Sequence, residues 1–194
     1  MELTKEFWNN RYLENEIGWD IGEISTPLKE YIDQLQDKKI KILIPGAGNS
    51  YEAEYLHNKG FENTSIIDIA PEAISSFKKR VSSFNDKNIL NKDFFQLNGT
   101  YDLILEQTFF CAINKNLRSA YAKQMANLLA PSGKLVGLLF DAPMYEDHPP
   151  FGGSIKEYIS YFQPYFEIEK IEPCYNSISP RAGKEAWIKM IRKQ

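Results

Sequence analysis

The sequence predicts one α/β domain: a seven-stranded, mostly parallel sheet with helices on both faces and an antiparallel hairpin at its C-terminal edge. Three observations carry that prediction. Short apolar, β-branched runs alternate with segments of helical spacing over most of the chain, which is the pattern of a parallel sheet wrapped by helices. A glycine-containing turn, Pro45-Gly46-Ala47-Gly48-Asn49-Ser50, joins the first strand to the next helix. The last two strands have no full helix between them, which suggests a hairpin.

Each element has its own signal. Phe7, Trp8, Arg11 and Tyr12 recur at helical spacing over 4–16, and Gly18-Trp19-Asp20-Ile21-Gly22 reads as a loop. Thr26 is expected to cap a short helix with Pro27 at its first position, and Leu28, Tyr31, Ile32 and Leu35 give that helix one apolar face. Residues 41–45 form the first strand, 50–59 a helix closed by Gly60, and 64–68 the second strand. Pro71 opens a helix over 71–84, Ile89 and Leu90 lie in a weak third strand, and 101–106 is the fourth. A helix over 115–129, a Pro131-Ser132-Gly133 turn and a strand over 134–140 follow. Beyond a polar, proline-bearing loop at 141–153 come a helix over 154–162 and strands at about 165–173 and 184–191. The order is that of a Rossmann-like sheet, in which ligands bind at the carboxyl ends of the strands. No repeat or break in composition divides the 194 residues, so 1–194 reads as one domain, with 1–36 as a helical N-terminal part.

Composition excludes several classes. The net charge of -3 and the lack of a basic stripe argue against a nucleic-acid partner. No apolar run approaches the roughly 18 residues of a membrane span, and the N-terminus lacks the layout of a secretory signal. Cys111 and Cys174 stand in dissimilar contexts and form neither a disulfide framework nor a metal spacing. The chain reads as a cytoplasmic monomer with free thiols and no metal site. Aromatic residues make up 13%, and Trp8, Tyr12 and Trp19 fall in an otherwise polar N-terminal segment, where they could be a hydrophobic staple or a cover for a ligand.

The residues most suggestive of chemistry fall at strand ends. Gly46 and Gly48 let the backbone turn sharply. Ser50 takes the place of the third glycine of a dinucleotide fingerprint, which argues against a pyrophosphate. Asp68 ends the second strand, 22 residues after Gly46, where a carboxylate can accept from ribose hydroxyls or cap the next helix. Asp93 and Phe94 follow the third strand, as an acceptor for an adenine amino group and a surface for its ring, or as a plain strand end. Together they suit a nucleoside, and the late strands with the missing glycine favour an adenosyl amino acid over a dinucleotide.

With those residues in view, the chain resembles the class I S-adenosylmethionine-dependent methyltransferases, and within them the thiopurine S-methyltransferase family with its halide/thiol methyltransferase branch. The resemblance runs over nearly the whole chain: Phe7-Trp8-Asn9-Asn10-Arg11-Tyr12, Gly18-Trp19-Asp20-Ile21-Gly22, Thr26-Pro27-Leu28, Pro45-Gly46-Ala47-Gly48, Asp68-Ile69-Ala70-Pro71, Asp93-Phe94-Phe95, Phe109-Phe110-Cys111-Ala112-Ile113 and Pro149-Pro150-Phe151. It implies S-adenosylmethionine as cofactor and S-adenosylhomocysteine as product. Trp8, Tyr12 and Trp19 would contact the cofactor from an N-terminal lid over 1–36. Gly46 and Gly48 would pass under its methionine part, Asp68 would hold the ribose, Asp93 and Phe94 the adenine, and Gln107 would lie beside the sulfonium. Tyr12 and Gln107 stand where halide and thiol members tend to carry Trp and Tyr, Ala47 replaces Cys and Ser50 replaces Gly.

The expected reaction is in-line transfer of a methyl group to a small, soft nucleophile, a thiol or halide. Such an acceptor needs no strong general base, and the sequence offers none that stands out. Gln107, Asp141 and His148 are the candidates for orienting the acceptor; Glu106 and Asp141, after the fourth and fifth strands, could equally be caps. The competing readings are a methyltransferase for a small oxygen, nitrogen or metalloid acceptor and a non-catalytic nucleoside-binding protein. The Asn-Pro-Pro-Tyr motif of exocyclic-amine methylation is absent after the fourth strand, where Glu106-Gln107-Thr108-Phe109 stands.

Overall fold

A computed structural model describes residues 2–194. Seven strands form one sheet: β1 (Ile42–Pro45), β2 (Thr64–Asp68), β3 (Ile89–Asn91), β4 (Tyr101–Gln107), β5 (Leu129–Phe140), β6 (Phe166–Pro173) and β7 (Glu185–Arg192). Their spatial order is β3-β2-β1-β4-β5-β7-β6. β1 through β5 pair parallel, and β7 runs antiparallel to both β5 and β6. The final pair is therefore antiparallel as expected, with β6 at the edge and β7 inserted beside β5.

The strands are continuous apolar runs because both of their faces are covered. On one face Ile42, Ile44, Ile66, Leu103 and Leu105 meet helices α2 (Thr26–Asp33), α3 (Tyr51–Asn58) and α4 (Pro71–Arg80) through Leu28, Leu56 and Phe77. On the other, Leu43, Ile104, Leu135 and Ile188 meet α5 (Arg118–Leu128) and α6 (Ile155–Phe162) through Tyr121, Met125 and Phe162. Each fully buried Leu, Ile or Phe contributes about 1.5–3 kcal/mol, so these two clusters hold the sheet between its helices. A further helix, α1 (Lys5–Leu13), has no buried residue and docks on α4, where the Glu72 N–H donates to Asn9 Oδ1 at 2.8 Å.

Several boundaries differ from expectation, each for a local reason. α1 stops at Leu13 because Asn15 takes a left-handed φ of 55° and turns the chain toward Trp19. The residue before α2 is Ser25, not Thr26, and its hydroxyl is spent on Gln107 rather than on a cap. α4 ends at Arg80, where Val81 turns out of helical geometry. β5 begins at Leu129, opposite Tyr101, and its register then jumps so that Lys134 faces Leu103. The Pro131-Ser132-Gly133 turn is thus a bulge inside the strand, with Ser132 at φ 61°. α3 closes as expected, with the Gly60 N–H on His57 O and the Phe61 N–H on Leu56 O. Among the described residues, no helix is long and apolar enough to cross a membrane.

Candidate active site

Strand order reverses between β1 and β4, and a cavity of about 800 Å³ opens there at the carboxyl ends of the strands. It is in the upper range for small-molecule sites. Its walls come from α1 and the 18–22 loop, the turns after β1, β2, β3 and β4, the 141–153 loop, and Pro180, Arg181 and Lys184 near the C-terminus.

The glycine turn forms one wall. Gly46 and Gly48 have φ of 58° and 54°, and a Cβ on either would strike the protein itself: one on Gly46 would lie 2.3 Å from the Phe109 ring, one on Gly48 2.7 Å from the Tyr12 hydroxyl. The missing side chains therefore admit two aromatic neighbours as well as the turn. Asp68 braces this turn from below. Its Oδ2 accepts from the Gly48 N–H and its Oδ1 from the Ala70 N–H, both at 2.8 Å. Ala70, the residue that caps α4, has no side-chain cap, so Asp68 holds the approach to that helix without capping it. Burial pushes its carboxyl above the usual range, and the two N–H donors oppose that. Asp93 lines the cavity while its Oδ1 accepts from the Phe95 N–H at 2.9 Å. Phe94 is mostly in the core, edge-on to Phe95 and Phe109, and reaches the cavity only as part of its wall.

The N-terminal aromatics form the opposite wall. Trp19 packs edge-on against Trp8 and Tyr12, at centroid distances of 5.7 and 5.9 Å. The loop that carries Trp19 is tied down by Asp20, which accepts from the Gly22 N–H, the Asn49 amide and the Tyr51 hydroxyl. Arg181 fixes the same loop by donating to Trp19 O at 2.7 Å. Burial raises the Tyr12 hydroxyl far above its ordinary value, helped by the nearby Asp68 charge, so it stays a neutral phenol.

At the end of β4 two adjacent residues behave differently. Glu106 is fully buried and accepts from the Phe109 and Phe110 N–H groups, at 2.8 and 2.9 Å, and from the Tyr121 hydroxyl. Desolvation pushes its carboxyl up to about 7. It holds the strained turn at Thr108 (φ 59°) and so sets the Phe109 ring against Gly46; it is a cap, the second of its two expected roles. Gln107 lines the cavity. Ser25 Oγ donates to its Oε1 at 2.9 Å, while its Nε2 is buried with no partner. The Cys111 thiol donates to Thr108 O at 3.2 Å, and burial pushes it up to about 12.

Of the acceptor candidates, Gln107 and His148 line the cavity and Asp141 does not. Asp141 Oδ1 accepts from the Ile155 N–H at 3.0 Å, at the start of α6, so its carboxylate is a structural brace rather than an orienting group. His148 stands at the mouth, stacked on Tyr145 at 4.1 Å, with Nδ1 2.9 Å from Pro149 O. The 141–153 loop is pinned at its end by Arg118, fully buried, which donates to Phe151 O, Gly152 O and Glu157.

The profile of the thiopurine S-methyltransferase family matches residues 3–193. This chain belongs to that family. It is an S-adenosylmethionine-dependent methyltransferase. A probable thiol methyltransferase 2 of Arabidopsis thaliana is 28% identical over 184 residues, spanning 92% of this chain and 81% of the relative. Thiocyanate methyltransferase 1 of Brassica oleracea is 28% identical over 188 residues, with the same shares of 92% and 81%. Among solved structures, 1,6-didemethyltoxoflavin-N1-methyltransferase of Burkholderia thailandensis, with 1,6-didemethyltoxoflavin and S-adenosylhomocysteine bound, shares the fold at a TM-score of 0.76. It is 13% identical and covers 98% of this chain and 87% of its own.

In this methyltransferase the cavity gathers Trp8, Tyr12, Trp19, Gly46, Gly48, Asp68, Asp93, Phe94, Gln107 and His148. It also gathers residues that sequence reasoning did not select. Arg181 is 8% exposed and faces the cavity from beyond β6, with Glu185 at 3.6 Å. Glu52 and Ser50, at the start of α3, are both buried and both line the cavity. The Asp20 role had a local signal, since Trp-Asp-x-Gly is an Asx turn; Arg181 had none.

The residues present fit the cofactor. Two buried polar atoms on the cavity, Ser50 Oγ and Gln107 Nε2, have no partner among the described residues and so invite one from a ligand.

Proposed function

We propose that this methyltransferase acts on a small, soft, anionic nucleophile, a thiolate or a halide-like anion, by in-line displacement. The observation that carries the reading is the division of charge around the cavity. On the side of β4 and β5 the acids are committed: Glu106 to two N–H groups and Tyr121, Asp141 to α6. Arg181 and Lys184 bring positive charge to that side. A β4–β5 side that carries cations and commits its carboxylates to the protein suits a nucleophile that arrives already ionised. A thiol of ordinary pKa, about 8.5, supplies a useful thiolate fraction at neutral pH. The relatives named as thiol and thiocyanate methyltransferases support the same class.

When bound, S-adenosylmethionine supplies a sulfonium methyl group, and the acceptor takes the carbon as the sulfur keeps the bonding electrons. The protein's part is positioning and exclusion of water. In this reading Trp8, Tyr12 and Trp19 form a lid over the cofactor, within residues 1–36, and their faces favour its cation. Gly46 and Gly48 turn beneath the methionine part. Asp68 accepts from the ribose hydroxyls with the lone pairs its two N–H donors leave free, and Asp93 Oδ2 accepts from the adenine amino group beside Phe94. Gln107 Nε2 lies next to the sulfonium and orients the acceptor, and His148 and Arg181 line its approach. The protein works as a monomer in the cytoplasm on this proposal.

A methyl-transfer panel of iodide, bisulfide, aryl thiols and phenols tests it. Turnover of thiols or iodide with no phenol methylation is the expected result. Methylation of phenols alone would overturn the acceptor class.

A further inference from the structure

Glu52 is an acid without a partner in a place where acids rarely go. It is the second residue of α3, 7% exposed, and lines the cavity beside the glycine turn. Apart from its own backbone N–H, no donor reaches its carboxylate among the described residues. The charged groups that face it are Asp20 from the Trp19 loop, Arg80 from α4 and Arg181 from the segment before β7. Both cations are engaged elsewhere. Arg80 pairs with Glu54 and donates to Asn49 O, and Arg181 holds Trp19 O and Glu185. An acid serving only the start of α3 would sit in water, as Glu54 does beside it, 32% exposed at its side chain. Two residues earlier the Ser50 hydroxyl, 2% exposed and also on the cavity, has no partner. An unpaired buried carboxylate and an unpaired buried hydroxyl on one turn of chain form a matched acceptor and donor.

We propose that Glu52 and Ser50 hold the amino-acid end of the cofactor: the Glu52 carboxylate accepts from its α-ammonium and the Ser50 hydroxyl donates to its α-carboxylate. This rests on the methyl-donor reading and adds to it the residues that recognise the zwitterion. Burial pushes the Glu52 carboxyl up to about 7, the state expected when an acid awaits its cation. A bound ammonium would draw it back to the ionised form, so binding would release a proton at pH below about 7.

The test compares two ligands on the full chain by calorimetry. S-adenosylhomocysteine carries the amino-acid end; 5′-methylthioadenosine lacks it. Glu52→Gln keeps the shape and removes the charge, and is expected to weaken S-adenosylhomocysteine about 10- to 100-fold, the scale of a charged hydrogen bond, with 5′-methylthioadenosine unchanged. Ser50→Ala should weaken the first ligand about 3- to 10-fold and spare the second. From pH 6 to 8 the wild-type affinity for S-adenosylhomocysteine should rise, and in Glu52→Gln that rise should vanish; Glu106, which titrates in the same range, is present in both proteins and cancels in the comparison. Equal affinity of Glu52→Gln and wild type for S-adenosylhomocysteine would overturn the proposal and leave Glu52 as a helix-start acid. So would equal weakening of both ligands, since Glu52 would then shape the turn rather than meet the zwitterion. Wild type that binds neither ligand would instead sink the methyl-donor reading itself.

Discussion

The groups that brace the turns around the cavity, its floor, and the polar groups left open on its lining, its rim, are bonded by opposite rules. On the floor, at the ends of β2 and β4, Asp68 and Glu106 are buried acids that accept from backbone N–H groups, Asp68 from Gly48 and Ala70, Glu106 from Phe109 and Phe110. On the rim, Ser50 Oγ and Gln107 Nε2 are buried and unpartnered, and Glu52 has no side-chain partner. Floor groups spend their bonding capacity on the shape of the site. Rim groups keep theirs for a ligand. The difference predicts that floor substitutions lower stability, and that rim substitutions lower function at little cost to stability.

The largest effect is expected at Gly46. Alanine there must hold φ near 58° and place its Cβ 2.3 Å from the Phe109 ring. Left-handed strain and overpacking together cost about 3–5 kcal/mol. Urea denaturation of Gly46→Ala checks this, and Phe109→Leu in the same chain should recover part of the loss. A loss below about 1 kcal/mol would mean that the turn is not a rigid part of the floor.

Next in size is a pH effect at Glu106. Its carboxyl lies near 7 in the folded protein against 4.5 for a free side chain. Between those pH values the folded state holds a proton that the unfolded chain has released, so this group's stabilisation is complete below about 4.5 and is lost as pH rises to 7 and above. The change is about 3 kcal/mol. Glu106→Gln cannot titrate, so its stability relative to wild type should rise by about that amount from pH 4.5 to 7.5. A constant difference across that range would show that Glu106 is ionised in the fold.

Asp68→Asn is the third test. One of the two N–H donors, from Gly48 or Ala70, would face an amide N–H instead of an oxygen, and the survivor would lose a charged acceptor. We expect about 2 kcal/mol less stability together with weaker cofactor binding. Unchanged stability with weaker binding would move Asp68 from floor to rim.

How much of this was legible in the sequence follows the same division. The strands and most helices were legible because their signal is local: short β-branched apolar runs, period-3.6 patterns, Pro71 at a helix start, Gly60 at a helix end. The position of Asp68 was legible because it closes a strand one βα unit after the glycine turn, but its grip on the Gly48 N–H was not. Arg181 could not be found, because its bond to Trp19 O joins residues 162 apart. Ser25 is a similar case: the Thr26-Pro27 pattern points to Thr26 as the cap, yet Ser25 holds that position and its hydroxyl meets Gln107 across 82 residues. For Asp141 the sequence leaves an orienting role and a cap both open, and the choice rests on a bond to the Ile155 N–H, 14 residues on, that no local pattern signals.

The smallest stability effect, and the sharpest contrast with Asp68, is expected at Gln107. Its Oε1 accepts from Ser25 Oγ while its Nε2 is buried with nothing to donate to. Gln107→Leu removes an unsatisfied donor, which stabilises by about 1 kcal/mol or more, and strands the Ser25 hydroxyl, which costs a similar amount. The two nearly cancel, so the melting temperature should move by no more than a few degrees. Methyl transfer is where the loss should fall, because the displaced Nε2 is the rim donor nearest the end of β4. A kcat lowered at least tenfold with stability held would mark Gln107 as a group kept for the reacting partners. A melting temperature that drops as far as that of Asp68→Asn, with kcat unchanged, would make Gln107 part of the floor and erase the division on which these expectations rest.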